Sequence, residues 1–200
     1  MEGMPLTTID PKTALVVIDL QNGILGAPGA PNPTSDVLAK NVELAEAFRA
    51  RKLPVVLVRV TTAADGADWT PGRTDADAAG GGTPSFPEGW DVISDALAGH
   101  DEDIVVTKRN WSAFYGTDLD LQLRRRGVTQ IVLTGVATSI GVESTARQAH
   151  EHGYHVALAT DAMTDMDAEA HANSIAKIFP RLGETATTQE ILDLLAKTHA

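Results

Sequence analysis

Residues Val128 to His152 read VTQIVLTGVATSIGVESTARQAHEH, and the reading of this stretch decides the fold. Its first part, through Ile131-Val132-Leu133, is an apolar, β-branched run, the pattern of a strand covered on both faces. The run breaks at Thr134-Gly135 and restarts in Ala, Glu, Arg and Gln, residues that favour helix. A buried strand that turns through small residues into a helix N-terminus gathers unpaired backbone N–H groups at one point. Such a point can receive an anion or a developing oxyanion.

Strand and helix alternate outward from there in both directions. Upstream, Ala14–Ile18, Leu53–Val60 and Asp103–Thr107 are short apolar runs that read as strands. Helices are expected from Ser35 or Asp36 to about Arg51, over Asp91–Ala98, and over DLDLQLRRRG, capped by Thr117 and closed by Gly127. Downstream, His155–Ala159 reads as a strand ending at Asp161, and Met166–Ile178 as a helix stopped by Pro180 and Gly183. Thr185–Thr188 reads as a short sixth strand and Gln189–Lys197 as a last helix. This alternation predicts an α/β fold, a parallel sheet with helices on both faces. One domain is expected over residues 1–200, with a long irregular insert at about 61–90 that reads as a lid, an oligomer arm or a disordered segment.

The chain has 27 acidic and 16 basic residues, a net charge of −11, and no basic block, so a nucleic-acid partner is not expected. It has no cysteine, which excludes a disulfide framework, a thiolate metal site and a cysteine nucleophile. The opening residues lack the pattern of a signal peptide, and no apolar run reaches the length of a membrane span. A cytoplasmic protein without a membrane partner is the expectation.

Right-handed crossovers put the C-terminal ends of all the strands on one edge of such a sheet, where ligands bind. That edge should carry Asp19, Thr61, Lys108, the turn from Gly135 to Gly141, and Asp161. Asp19 follows five apolar residues, so it reads either as a general acid or base on a pocket floor or as a loop-capping carboxylate. Lys108 ends a buried strand, where it must find a partner, shift its pKa or reach solvent. Together on one edge they favour a site.

The segments VVIDLQNG, VTKRNWSAFYGTDLD and LTGVATSIGVESTARQAHEHGYHVALATDA resemble the isochorismatase-like hydrolases, the cysteine hydrolase superfamily, over nearly the whole chain. The resemblance implies a three-layer α/β/α sandwich around a doubly wound, Rossmann-like parallel sheet of about six strands. It also implies a small-molecule substrate, no cofactor, and a homodimer or homotetramer. Family members use an Asp, a Lys and a Cys; Asp19 and Lys108 match the first two, and Gly141 stands where the Cys would be. A cis peptide in the family's turn maps onto Val136-Ala137 and directs the backbone N–H groups of Ala137 and Gly141 into the pocket. The nicotinamidases of the family carry an Asp-x-His-x-His metal motif, but Asp65-Gly66-Ala67-Asp68-Trp69 has no histidine, so no metal is expected.

Without the thiol, the acyl-enzyme route to amide hydrolysis is closed. True isochorismatases also carry Gly at this position, and they hydrolyse a vinyl ether by acid catalysis. The resemblance therefore implies acid-catalysed hydrolysis of a small anionic substrate, giving pyruvate and a diol, with Asp19 as the acid. Trp69, Arg73, Trp111 and Phe114 are the candidates for holding the substrate's ring or carboxylate. The isochorismatase turn resembles Y-A-H-I-G where this chain has A-T-S-I-G, which separates the two in substrate contacts. The alternative is an inactive family member that binds a ligand or serves as a structural oligomer.

Overall fold

A computed structural model describes residues 6–68, 74–75 and 86–199. The apolar runs become six strands: β1 (Thr13–Ile18), β2 (Val55–Val60), β3 (Ile104–Lys108), β4 (Gln130–Val136), β5 (His155–Thr164) and β6 (Glu184–Ala186). They form one parallel sheet in the order β3-β2-β1-β4-β5-β6. The chain winds outward from β1 to β3, crosses back, and winds the other way from β4 to β6. β1 and β4 therefore flank the point where the winding reverses, and a crevice opens there at their C-terminal ends.

Among the described residues, six α-helices accompany the strands: α1 (Asn22–Leu25), α2 (Thr34–Ala50), α3 (Leu119–Arg125), α4 (Glu143–Glu151), α5 (Ala168–Asn173) and α6 (Thr188–Thr198). Strand residues alternate between two cores because successive side chains point to opposite faces. Ala14, Val16 and Ile18 pack with Leu119, Leu123, Ala146 and Ala149 on one face. Leu15 and Val17 pack with Val37, Leu44, Phe48, Ile191 and Leu195 on the other. Both faces are thus covered, and β1 and β4 are buried along their whole length.

Gly135 allows the close approach of these two central strands. It has φ 111°, and a Cβ there would stand 2.1 Å from the Ile18 carbonyl oxygen, so only glycine fits. The β4–β5 register shifts between Leu133 and Gly135, which carries β5 on to Thr164, beyond the end expected at Asp161.

Other elements differ from the sequence expectation for identifiable reasons. Asp91–Ala98 is not a helix: Asn22 and Gly23 donate to the carbonyls of Val92 and Trp90, and Ile93 makes an antiparallel bridge to Gln21. Those long-range bonds occupy backbone groups a helix would need, and a tight turn at Ser94–Ala98 is what remains. α2 starts at Thr34 with Pro33 as its N-cap, and no side chain caps it. The expected helix Met166–Ile178 is α5, capped by Asp167, followed by a π-turn over Ser174–Ile178. Of the insert, residues 61–68 and 86–90 are turns and irregular chain.

Candidate active site

Asp19 is the first residue past β1 and sits at φ 54°, a left-handed conformation that Asp tolerates better than most side chains. Its N–H donates to the Val58 carbonyl at 3.0 Å, which ties the bend to β2. Gln21 continues the tie, since its amide accepts from Val60 N at 2.9 Å and donates to Val60 O at 3.0 Å. The bend turns the Asp19 carboxyl into the crevice.

Lys108 ends β3, two strands from β1, and its long side chain reaches back across β2. Its Nζ lies 2.7 Å from Asp19 Oδ2 and donates to the Asn110 carbonyl at 3.1 Å. Both side chains are buried. Lys108 thus has a buried carboxylate partner instead of reaching solvent, the outcome that burial of a charge requires. Asp19 Oδ1, in contrast, is buried with no hydrogen-bond partner. Burial raises the Asp19 pKa, the Lys108 charge and hydrogen bond pull it down, and burial prevails: the carboxyl is pushed up to about 6.

The third position is Gly141. The turn begins at the cis peptide Val136-Ala137 and runs through a π-turn, Thr138–Val142, directly into α4. A Cβ built on Gly141 would lie 3.0 Å from Ile18 Cγ2, 3.4 Å from Asp19 Oδ2 and 3.6 Å from the Trp111 carbonyl. A side chain at 141 would therefore touch the Asp19 carboxyl. Ile140 and Val142 donate to the Ala137 carbonyl, and Ser139 donates to Asp165 Oδ2 at 2.7 Å. Among the described residues, no bond from the N–H of Ala137 or Gly141 reaches beyond the turn.

Asp19, Lys108, Val136, Ala137 and Gly141 all line one cavity of about 900 Å³. Trp111 lines it too and is 66% exposed, and Tyr115, Ile140 and Met166 in the same wall are also exposed. The loop bearing Trp111 is stitched to α4: Ala113 N donates to Thr145 Oγ1 at 2.9 Å, and Ser112 Oγ donates to Gln148 Oε1 at 3.0 Å. Arg109, also in the wall, pairs with Asp68 at 2.8 Å.

Three of the expected residues do not line the cavity. Phe114, expected at the substrate, is buried in the core against Tyr154, with ring centroids 5.9 Å apart. Asp161 faces away from the crevice, where it accepts from Thr188 N at the start of α6 and pairs with Lys40 at 2.6 Å. Thr61 uses its N–H on the Lys108 carbonyl and is not part of the cavity wall. Trp69 and Arg73 lie outside the described residues.

The sequence reading missed Asp165, which is buried and holds the N–H of Ser139, and His171, whose Nδ1 lies 2.8 Å from Thr138 Oγ1. The cluster Asp165-Met166-Asp167 was the available signal, a capping pattern placed just before a helix. Among the described residues, no group of three His, Asp or Glu is arranged to hold a metal ion. No described helix is long and apolar enough to cross a membrane.

A doubly wound α/β sandwich with a buried Asp–Lys pair beside a helix-entry turn, at the reversal of strand order, defines a hydrolase-type crevice. The isochorismatase domain model matches residues 13–190. The chain belongs to the isochorismatase family. It is 48% identical over 183 residues to the uncharacterized isochorismatase family protein YecD of Escherichia coli O157:H7, covering 92% of this chain and 96% of that protein. It is 32% identical over 201 residues to the ureidoacrylate amidohydrolase RutB of Methylobacterium radiotolerans, covering 85% of this chain and 74% of that one. Its fold matches an isochorismatase family protein from Burkholderia thailandensis with TM-score 0.89 and 48% identity, over 94% of this chain and 98% of the other.

Proposed function

We propose that this protein hydrolyses a small anionic substrate of the vinyl ether type by acid catalysis at Asp19, without a covalent intermediate. The observation that carries the reading is the divided environment of one carboxyl group. Asp19 Oδ2 is held by Lys108 at 2.7 Å while Oδ1 is buried and unpartnered, and the pKa stands at about 6. A carboxyl of that kind keeps a useful protonated fraction near neutral pH and can deliver a proton.

In the reaction, Asp19 protonates the terminal methylene of an enolpyruvyl ether, and the C=C electron pair forms the new C–H bond. The resulting oxocarbenium ion is captured by water, whose proton returns to the Asp19 carboxylate. The hemiketal then breaks its C–O bond to release pyruvate and an alcohol. Lys108 stabilises the carboxylate that forms when the proton leaves, and the N–H groups of Ala137 and Gly141 face the substrate oxygens. Gly141 leaves open the space beside Asp19 Oδ2 that a side chain would fill.

Amide hydrolysis is the second reading, favoured by the likeness to an enzyme named as an amidohydrolase. It needs an activated nucleophile. This chain has no cysteine, and Gly141 contributes no side chain. Incubation with isochorismate and with ureidoacrylate, followed by assays for pyruvate and ammonia, separates the two. Pyruvate without ammonia is expected; ammonia from the amide would overturn the acid mechanism.

A further inference from the structure

The opposite edge of the sheet carries a second cavity, of about 690 Å³, at the N-terminal ends of β1, β2 and β3. Its charged wall consists of Lys12, Arg49, Lys52, Arg126, Glu102 and Asp103. One pair is internally satisfied: Arg49 Nη2 lies 2.6 Å from Asp103 Oδ2, its Nε bonds Oδ1 of the same carboxylate at 3.2 Å, and both side chains are buried. That leaves Lys12, Lys52 and Arg126 against Glu102. None of the three cations makes an ion pair with a carboxylate among the described residues.

The Arg126 guanidinium uses only Nη1, on the carbonyl and side-chain oxygens of Gln122 at 3.0 and 2.8 Å. Its remaining donors, and both ammonium groups, have no protein acceptor among the described residues. The same cavity is also lined by the apolar residues Leu53, Pro54, Ile104 and Val128. The chain carries a net charge of −11, so a concentration of unpaired cations around one concavity is unlike its average surface. Like charges gathered this way repel, and an anion that bridges them relieves the repulsion.

We propose that this cavity binds a small polyphosphate of nucleotide size, with the phosphates on Lys12, Lys52 and Arg126 and the base and sugar over the apolar lining. The volume lies in the range of small-molecule sites, about 300–1,000 Å³. Arginine and lysine supply the forked and point-charge donors that phosphate takes. The site is separate from the Asp19 crevice because it occupies the other ends of the same strands.

Isothermal titration calorimetry with ATP and with inorganic pyrophosphate tests this on the wild type and on Lys52→Glu/Arg126→Glu. Both substituted positions are exposed, and Lys52→Gln serves as a milder second variant. The expected result is one ATP site per chain, weaker binding of pyrophosphate, and affinity that falls as salt rises. Charge reversal should weaken ATP by about tenfold or more, and Lys52→Gln by a smaller factor. No heat with either probe, or an affinity unchanged in both variants, would overturn the proposal. Pyrophosphate binding as tightly as ATP would overturn the role of the apolar lining.

Discussion

At the scale of single residues, the proposed chemistry rests on Asp19 and on what surrounds its two oxygens. In the proposed mechanism the acid form does the work, so kcat/KM should be flat below the carboxyl's pKa of about 6 and fall above it. The protonated fraction drops about tenfold for each further pH unit, which sets the slope. Gly141 is the second decisive residue. Gly141→Ala places a Cβ 3.0 Å from Ile18 Cγ2 and 3.4 Å from Asp19 Oδ2, so it should cost about 1 kcal/mol in a urea melt and lower kcat/KM as well. Gly141→Cys sets a thiol against the same carboxyl and should take up an acyl group from an activated ester, read as a mass increase. An unacylated thiol would show that the turn no longer supports a nucleophile.

At the scale of elements, most of the architecture was legible because the central strands β1 and β4 are short runs buried on both faces. The exceptions are segments whose partners lie far away in sequence. Asp91–Ala98 has helical composition but is captured by the backbone of Asn22 and Gly23. Asn41 reads as one polar residue on an apolar helix face, yet it is buried, bonding the carbonyls of Val37 and Ala162 and the Thr134 hydroxyl. Asn41→Leu should therefore cost about 1–3 kcal/mol, since it strands those buried groups. Thr187 and Glu190 form a capping box at the start of α6, and Thr187→Ala should cost about 1 kcal/mol in the same assay. The turn that carries Gly141 leans on His171, which burial keeps below its ordinary pKa of 6.5 despite the opposing charge of Asp165. The unfolded chain binds that proton more readily, so stability is full above pH 6.5 and is lost as pH falls below it. Thermal melts across that range should show a shallower acid decline in His171→Gln.

At the scale of the whole molecule, the reversal of strand order between β1 and β4 brings distant residues together. Asp19, Lys108 and Gly141 are spread over more than half the chain and meet only because their strands end on one edge. Position along an edge follows from the order of strands and helices, so Asp19, Lys108 and the turn from Gly135 to Gly141 could be named from the sequence, and the family resemblance singled out Gly141 within that turn. Side-chain direction could not: Phe114 lies in the same loop as Trp111 but points into the core, and Asp161 lies within β5, short of its end, and serves α6. The cation cluster at the far edge was hidden too, since Lys12, Lys52 and Arg126 come from three widely separated segments of the chain. The most direct test of the central claim is the pH dependence of pyruvate release from isochorismate, between about pH 5 and 8, by the wild type and by Asp19→Asn. A wild-type profile that falls above about pH 6, together with loss of turnover in the variant, is the expected result. Full activity in Asp19→Asn would contradict it.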